Sequence, residues 1–186
     1  MKRLALIALV ALSACREEQA AIPGPVTMTE SAVGHFCQMN VLEHPGPKAQ
    51  VHLKDVMDPL FFSQVRDAIA YQRMPEQSHE VIAVYVSDIA QAESWDFPGA
   101  DNWIAQESAV YVLGSDREGG MGAAETIPFS TREAAEAFIA DHGGEIRALD
   151  QITTEEVLSP DDGASAAAED DSAGDYADRL RRLGRD

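Results

Sequence analysis

The 186-residue chain carries 32 acidic against 14 basic residues, a formal net charge of −18, with 45% hydrophobic residues. So acidic a surface repels nucleic acid and anionic lipid head groups, and it favours cations or basic partner surfaces. The length suits one compact body of about 140 residues with flanking segments, long enough to bury a core.

Lys2 and Arg3 precede an almost unbroken apolar run over residues 4–12, which closes on Leu12-Ser13-Ala14-Cys15. That run is about half of the roughly 20 residues a membrane-spanning helix needs, so residues 1–15 read as a signal peptide. The small-residue site ending in cysteine resembles a bacterial lipobox, in which cleavage leaves Cys15 as a lipid-bearing N-terminus. Acyl chains then tether an otherwise soluble protein to a membrane. With Cys15 consumed, Cys37 is the one remaining thiol in an oxidising compartment. It has no intramolecular partner for a disulfide, so it is either an inert buried cysteine or a metal ligand.

Residues 16–30 contain Glu17, Glu18, Pro23, Gly24 and Pro25 and read as a flexible spacer. Two similar units follow, at 31–90 and 91–154. Leu60-Phe61-Phe62-Ser63-Gln64-Val65-Arg66-Asp67 resembles Ile127-Pro128-Phe129-Ser130-Thr131-Arg132-Glu133-Ala134, each a Phe-Ser pair ahead of an amphipathic helix. Ser63 and Ser130 are the predicted N-caps, with Glu133 completing a capping box for Ser130. Strands are predicted over 35–41, 50–53 and 81–86 in the first unit, and over 109–113, 126–129 and 145–149 in the second, the last after the Gly143-Gly144 break. Pro75 should end the first helix near Arg73. The predicted fold is therefore α+β, two β-β-α-β units packed as one body. Residues 155–186 are rich in Asp, Ala, Gly and Ser and read as a disordered acidic tail, with a transient helix over 176–183.

His35-Phe36-Cys37-Gln38-Met39 is the most distinctive passage. On a strand, residues i and i+2 share a face, which would direct Cys37 and Met39 at one ion with His35 alongside. A thiolate and a thioether are soft donors that favour Cu(I) over Zn(II), Mg(II) or Ca(II). The bland alternative is two core side chains on a strand. His44-Pro45-Gly46-Pro47 is a rigid turn whose imidazole is either a further ligand or simply solvated. Gly119-Gly120-Met121-Gly122 offers Met121 as a third soft ligand, or as a plug for a surface hollow. That loop lacks the lysine and following helix of a phosphate-binding loop. Met28, Met57 and Met74 are scattered, and Trp95 and Trp103 flank a polar loop as packing residues. The sequence holds no Cys-x-x-Cys, His-Glu-x-x-His or Gly-x-Ser-x-Gly.

Taken together, the lipobox, Cys37-Gln38-Met39, His44-Pro45-Gly46-Pro47-Lys48-Ala49-Gln50 and the Gly120-Met121-Gly122 loop ahead of Pro128-Phe129 resemble the NosL family over about residues 33–150. The resemblance implies a monomeric periplasmic Cu(I) chaperone for the copper–sulfide centre of nitrous oxide reductase. Its implied partners are the apo-reductase and the membrane transport and scaffold apparatus of that pathway. The implied ligands are Cys37, Met39 and Met121, with His35 or His44 completing the set. The implied location is the periplasmic face of a bacterial membrane. Arg16, in place of the aspartate that retains lipoproteins in the inner membrane, favours the outer one. Two other classes are compatible with the residues: an enzyme with Cys37 as nucleophile and His35 or His44 as base, and an acidic docking lipoprotein with Cys37 buried and inert.

Overall fold

A computed structural model describes residues 22–158. The signal peptide, Cys15, the start of the spacer and the 176–183 segment lie outside the described residues. Among those described, no helix is long and apolar enough to cross a membrane.

The first unit is built from β1 (Ala49–Leu53), β2 (Leu60–Phe62), α1 (Val65–Arg73) and β3 (Val81–Ser87), with β4 (Trp103–Ala105) on the far edge. Its sheet runs β2-β1-β3-β4, every neighbouring pair antiparallel. The second unit repeats the pattern in β5 (Val110–Leu113), β6 (Ile127–Phe129), α2 (Arg132–His142) and β7 (Glu145–Arg147). Its sheet runs β6-β5-β7, again antiparallel. The order second–first–third strand is common to both, so the predicted duplication holds in topology as well as in sequence.

One assignment within it shifts. The opening strand pair of the first unit is β1 with β2, and Leu60-Phe61-Phe62 is the counterpart of Ile127-Pro128-Phe129. Residues 35–41, predicted as a strand, form a hairpin loop: an isolated bridge joins Val33 to Asn40, and a 3-10 turn follows over Val41–Glu43.

Alternation along the strands divides the interior. Ala49, Val51 and Leu53 of β1 pack with Phe62, Val65, Ala68, Ile69, Val84 and Val86 in the larger core. Tyr111 of β5 joins that core, whereas its neighbour Val112 faces the smaller one with Ile127, Phe129 and Ala135. Successive side chains of a strand point to opposite faces, so β5 has one face in each core. The opposite face of β1 is polar: His52 Nε2 lies 2.9 Å from Gln50 Oε1, and Gln50 Oε1 accepts from Val26 N–H at 2.8 Å.

Those last contacts correct the expected spacer. Gln50 Nε2 also donates to the Val26 carbonyl, Met28 N–H donates to Ala100 O, and Tyr85 Oη donates to Pro23 O. Met28 is buried. The amide of Gln50 acts as a surrogate ladder partner for Val26, tying an otherwise mostly exposed segment to the sheet. At the other end, α3 (Thr154–Leu158) occupies the start of the predicted tail. Val157 is buried in the larger core, and the Val157 carbonyl accepts from Arg66 Nε at 3.1 Å.

Both predicted N-caps move by one residue. Thr131, not Ser130, caps α2, its hydroxyl accepting from Ala134 N–H at 3.3 Å. Gln64 holds the N-cap position of α1 and makes no side-chain cap bond. The helix start is capped from the other unit: the Glu125 carboxyl accepts from Val65 N–H and Arg66 N–H at 3.3 and 2.9 Å, and from its neighbour Thr126 at 2.8 Å. Orphan N–H groups of a first helical turn need such acceptors, and here the acceptor joins the two halves. The predicted end of α1 at Arg73 is where the helix stops.

Candidate functional site

Cys37 sits at the tip of the 33–40 hairpin. Gln38 N–H donates to Gly34 O at 2.9 Å, Gly34 N–H donates to Met39 O at 2.8 Å, and Gln38 takes a left-handed φ of 57°. A left-handed residue other than glycine costs about 1–2 kcal/mol. The Gln38 amide offsets part of that by donating to His35 O at 2.7 Å. The geometry is therefore a closed turn, not the extended strand on which residues 37 and 39 would share a face.

The turn folds the thiol back against the body. Cys37 Sγ lies 3.2 Å from Ser63 Oγ and 3.9 Å from Met39 O. Gly34 makes this possible, because a Cβ there would collide with Cys37 Sγ and fall 3.0 Å from Ser63 Oγ. Ser63, expected to cap α1, thus serves the cysteine. Cys37 is half-buried, while Met39 and Met121 are 44% and 45% exposed.

Met121 approaches from the second unit. Its loop is closed at the base by a bridge between Glu118 and Ala124, and its tip docks on the start of α1. Met121 N–H donates to Gln64 Oε1 at 2.6 Å. At Gly120 a Cβ would fall 2.8 Å from Ser63 O and 2.7 Å from His44 Cβ, so only a glycine lets the backbone lie this close. Cys37 and the Met121 loop therefore both meet the pair Ser63-Gln64, of which the sequence pattern had suggested Ser63 only as a helix cap.

The two histidines have separate environments. The His35 ring packs with Phe36, Phe62 and Tyr71 at centroid distances of 5.2, 5.5 and 5.2 Å, an aromatic cluster beside the hairpin. His44 is tied to the Met121 loop, with Nδ1 2.9 Å from Gly120 O. A carbonyl oxygen only accepts, so Nδ1 carries the proton, and the neutral ring keeps its lone pair on Nε2. That Nε2 is buried with no hydrogen-bond partner among the described residues. His44 lines a cavity of about 310 Å³ together with Met28, Leu42, Lys48 and Phe97.

Two buried titratable side chains, Lys48 and Glu125, lie near the site. Lys48 Nζ donates to the carbonyls of Pro45 and Gly46, which anchors the Pro-Gly-Pro turn. Burial lowers Lys48 to about 8, and the charge of Glu125 opposes that shift. Burial likewise raises Glu125 to about 8, against the Arg66 and Thr126 N–H bonds and the Lys48 charge. Neither residue was singled out from sequence as buried or titratable.

Among the described residues, no group of three or more His, Cys, Asp and Glu side chains is placed to hold a metal ion. The sulfur's own partners are a hydroxyl and a carbonyl oxygen; a general base would have to be a nitrogen or carboxylate in that position.

The fold and this sulfur-lined surface define a two-unit α+β protein with a thiol and two exposed thioethers on adjoining loops. The chain belongs to the NosL family, whose sequence profile it matches over residues 25–157. It is 52% identical to the copper-binding lipoprotein NosL of Achromobacter cycloclastes over 181 residues, 97% of this chain and 93% of the relative. It is 28% identical to the copper-binding lipoprotein NosL of Stutzerimonas stutzeri over 151 residues, 80% and 77% of the two chains. Its fold matches the crystal structure of the copper chaperone NosL from Shewanella denitrificans with a TM-score of 0.65 and 32% identity, covering 70% of this chain and 96% of that one.

Proposed function

We propose that this chain is a lipid-anchored periplasmic Cu(I) chaperone, tethered through Cys15, that delivers copper for the copper–sulfide centre of nitrous oxide reductase. The observation that carries the proposal is the convergence of Cys37 and the Met121 loop on Ser63-Gln64, with Met39 exposed beside the thiol. The names of the relatives support copper as the cargo, and soft sulfur donors support its reduced state.

Ligand exchange follows from the placement. Cys37 supplies the charged donor, and Met39 and Met121 supply neutral donors that are weak enough to be displaced one at a time. Exposed thioethers leave an approach for a partner's ligand, which enters before the last chaperone ligand departs. In this reading the recipients are the apo-reductase and its membrane transport and scaffold apparatus. The chaperone itself works as a monomer, and the copper is cargo rather than a catalytic group.

The test is an anaerobic Cu(I) titration of the chain from Arg16 onward against a competing Cu(I) chelator, alongside Cys37→Ser. Stoichiometric binding that outcompetes the chelator and collapses in the variant supports the assignment. Binding indifferent to Cys37, or no binding, overturns it.

A further inference from the structure

Both sides of the sulfur site depend on one dipeptide at the entry to α1. Ser63 lies against the thiol through its hydroxyl. Gln64 is buried, yet it makes no cap bond to its own helix; its side-chain oxygen is turned outward to the Met121 N–H at 2.6 Å. Gly119 is fitted to the same side chain, since a Cβ there would fall 2.8 Å from Gln64 Cγ. Within the loop, Gly119 N–H donates to Ala123 O and Gly122 N–H to Gly119 O, which fix its shape. Its position over the first unit is set by Gln64 at Met121 and by His44 at Gly120.

Accordingly, the geometry points to Gln64 as the positioning residue that sets Met121 at its distance from Cys37, and so decides whether copper is held by the loop as well as the hairpin. This deepens the copper reading and rests on it. Gln64 acts through the backbone of Met121, while its neighbour Ser63 lies against the thiol. Two rigidly linked residues at a helix start thereby register two ligand-bearing loops from different halves of the chain. Preorganised donors lose less on binding than donors that must be gathered.

The experiment follows the methionine methyl groups by NMR in the mature full chain during anaerobic Cu(I) titration. In wild type the Met39 and Met121 methyl signals both shift. In Gln64→Leu, which keeps the bulk but removes the acceptor, Met39 shifts as before while Met121 stays at its copper-free position. The affinity falls about tenfold, the scale of one lost hydrogen bond with its ordering. Met121→Leu then costs nothing further in the Gln64→Leu background, a coupling that general destabilisation does not produce. Gln64→Ala removes the same acceptor with a smaller side chain and gives the same result, so the inference remains testable if Gln64→Leu does not fold. A Met121 methyl that still shifts fully in either folded variant overturns the positioning role. A wild-type chain in which neither methyl responds to copper instead overturns the copper reading, and this inference with it.

Discussion

Replacing Gly34 by alanine tests the placement of Cys37 without removing any ligand. The added Cβ would collide with Cys37 Sγ and crowd Ser63 Oγ at 3.0 Å. Gly34 does not require a left-handed backbone, so the new strain is steric. Two relaxations compete. Shifting the hairpin to keep the thiol in place repacks a tight contact and costs about 1–3 kcal/mol. Rotating the thiol away gives up its contact with Ser63, about 0.5–1.5 kcal/mol, and moves one half-buried atom. The second is cheaper, so the thiol is expected to swing outward. Urea denaturation should then show a loss of about 1 kcal/mol, alkylation of Cys37 should quicken, and Cu(I) affinity should fall by roughly tenfold, since the bound state must restore the strain. An alanine variant with wild-type alkylation rate and wild-type affinity refutes the placement of the thiol between Gly34 and Ser63. A loss of more than about 2 kcal/mol with unchanged alkylation shows that the hairpin moved instead.

Three further outcomes follow from the same geometry. Cys37→Ser should abolish most Cu(I) affinity, whereas Met39→Leu and Met121→Leu weaken it in smaller steps, read by chelator competition. A nitrogen-detected NMR spectrum of His44 should show the Nδ1–H tautomer in the copper-free protein, held by Gly120 O, and an Nε2–H tautomer would contradict the hydrogen bond. Stability should pass through a minimum near pH 8. Glu125 is raised from 4.5 to about 8, so its contribution is full below 4.5 and is lost as pH rises through 8. Lys48 is lowered from 10.5 to about 8, so its contribution is full above 10.5 and is lost as pH falls through 8. Urea midpoints between pH 5 and 10 test this, and Glu125→Gln should remove the decline on the acid side while leaving the rise on the alkaline side.

Topology was legible because it follows from periodicity and repetition. The β-branched run at 81–86, the Phe-Ser pairs and the Gly143-Gly144 break are local signals, and the elements they mark form where expected. Errors fell where a short passage could satisfy its backbone in more than one way. Residues 35–41 alternate acceptably for a strand, yet the chain closes a left-handed turn at Gln38 because Gly34 and Met39 can pair across it. The segment from Pro23 to Met28 has a loop composition, but the side chain of Gln50 supplies the hydrogen bonds that let it pack. No local rule reports a ladder partner borrowed from a side chain more than twenty residues away.

The same distinction governs the site. Soft-donor chemistry can be read from residue types alone, so Cys37, Met39 and Met121 could be named as candidate donors from sequence. Their arrangement could not, because it depends on partners remote in sequence: Ser63 for the thiol, Gln64 for the Met121 loop, Gly120 for His44. The closed turn also changes what the Cys-x-Met spacing means. On a strand, the pair would present both sulfurs to one side as a fixed clamp. At a hairpin tip, the thiol is drawn back against Ser63 while Met39 remains exposed, so the donors differ in accessibility as well as in charge. In the proposed carrier role, a donor set graded in this way would hold its cargo and surrender it stepwise, with the exposed thioethers leaving first and the thiolate last.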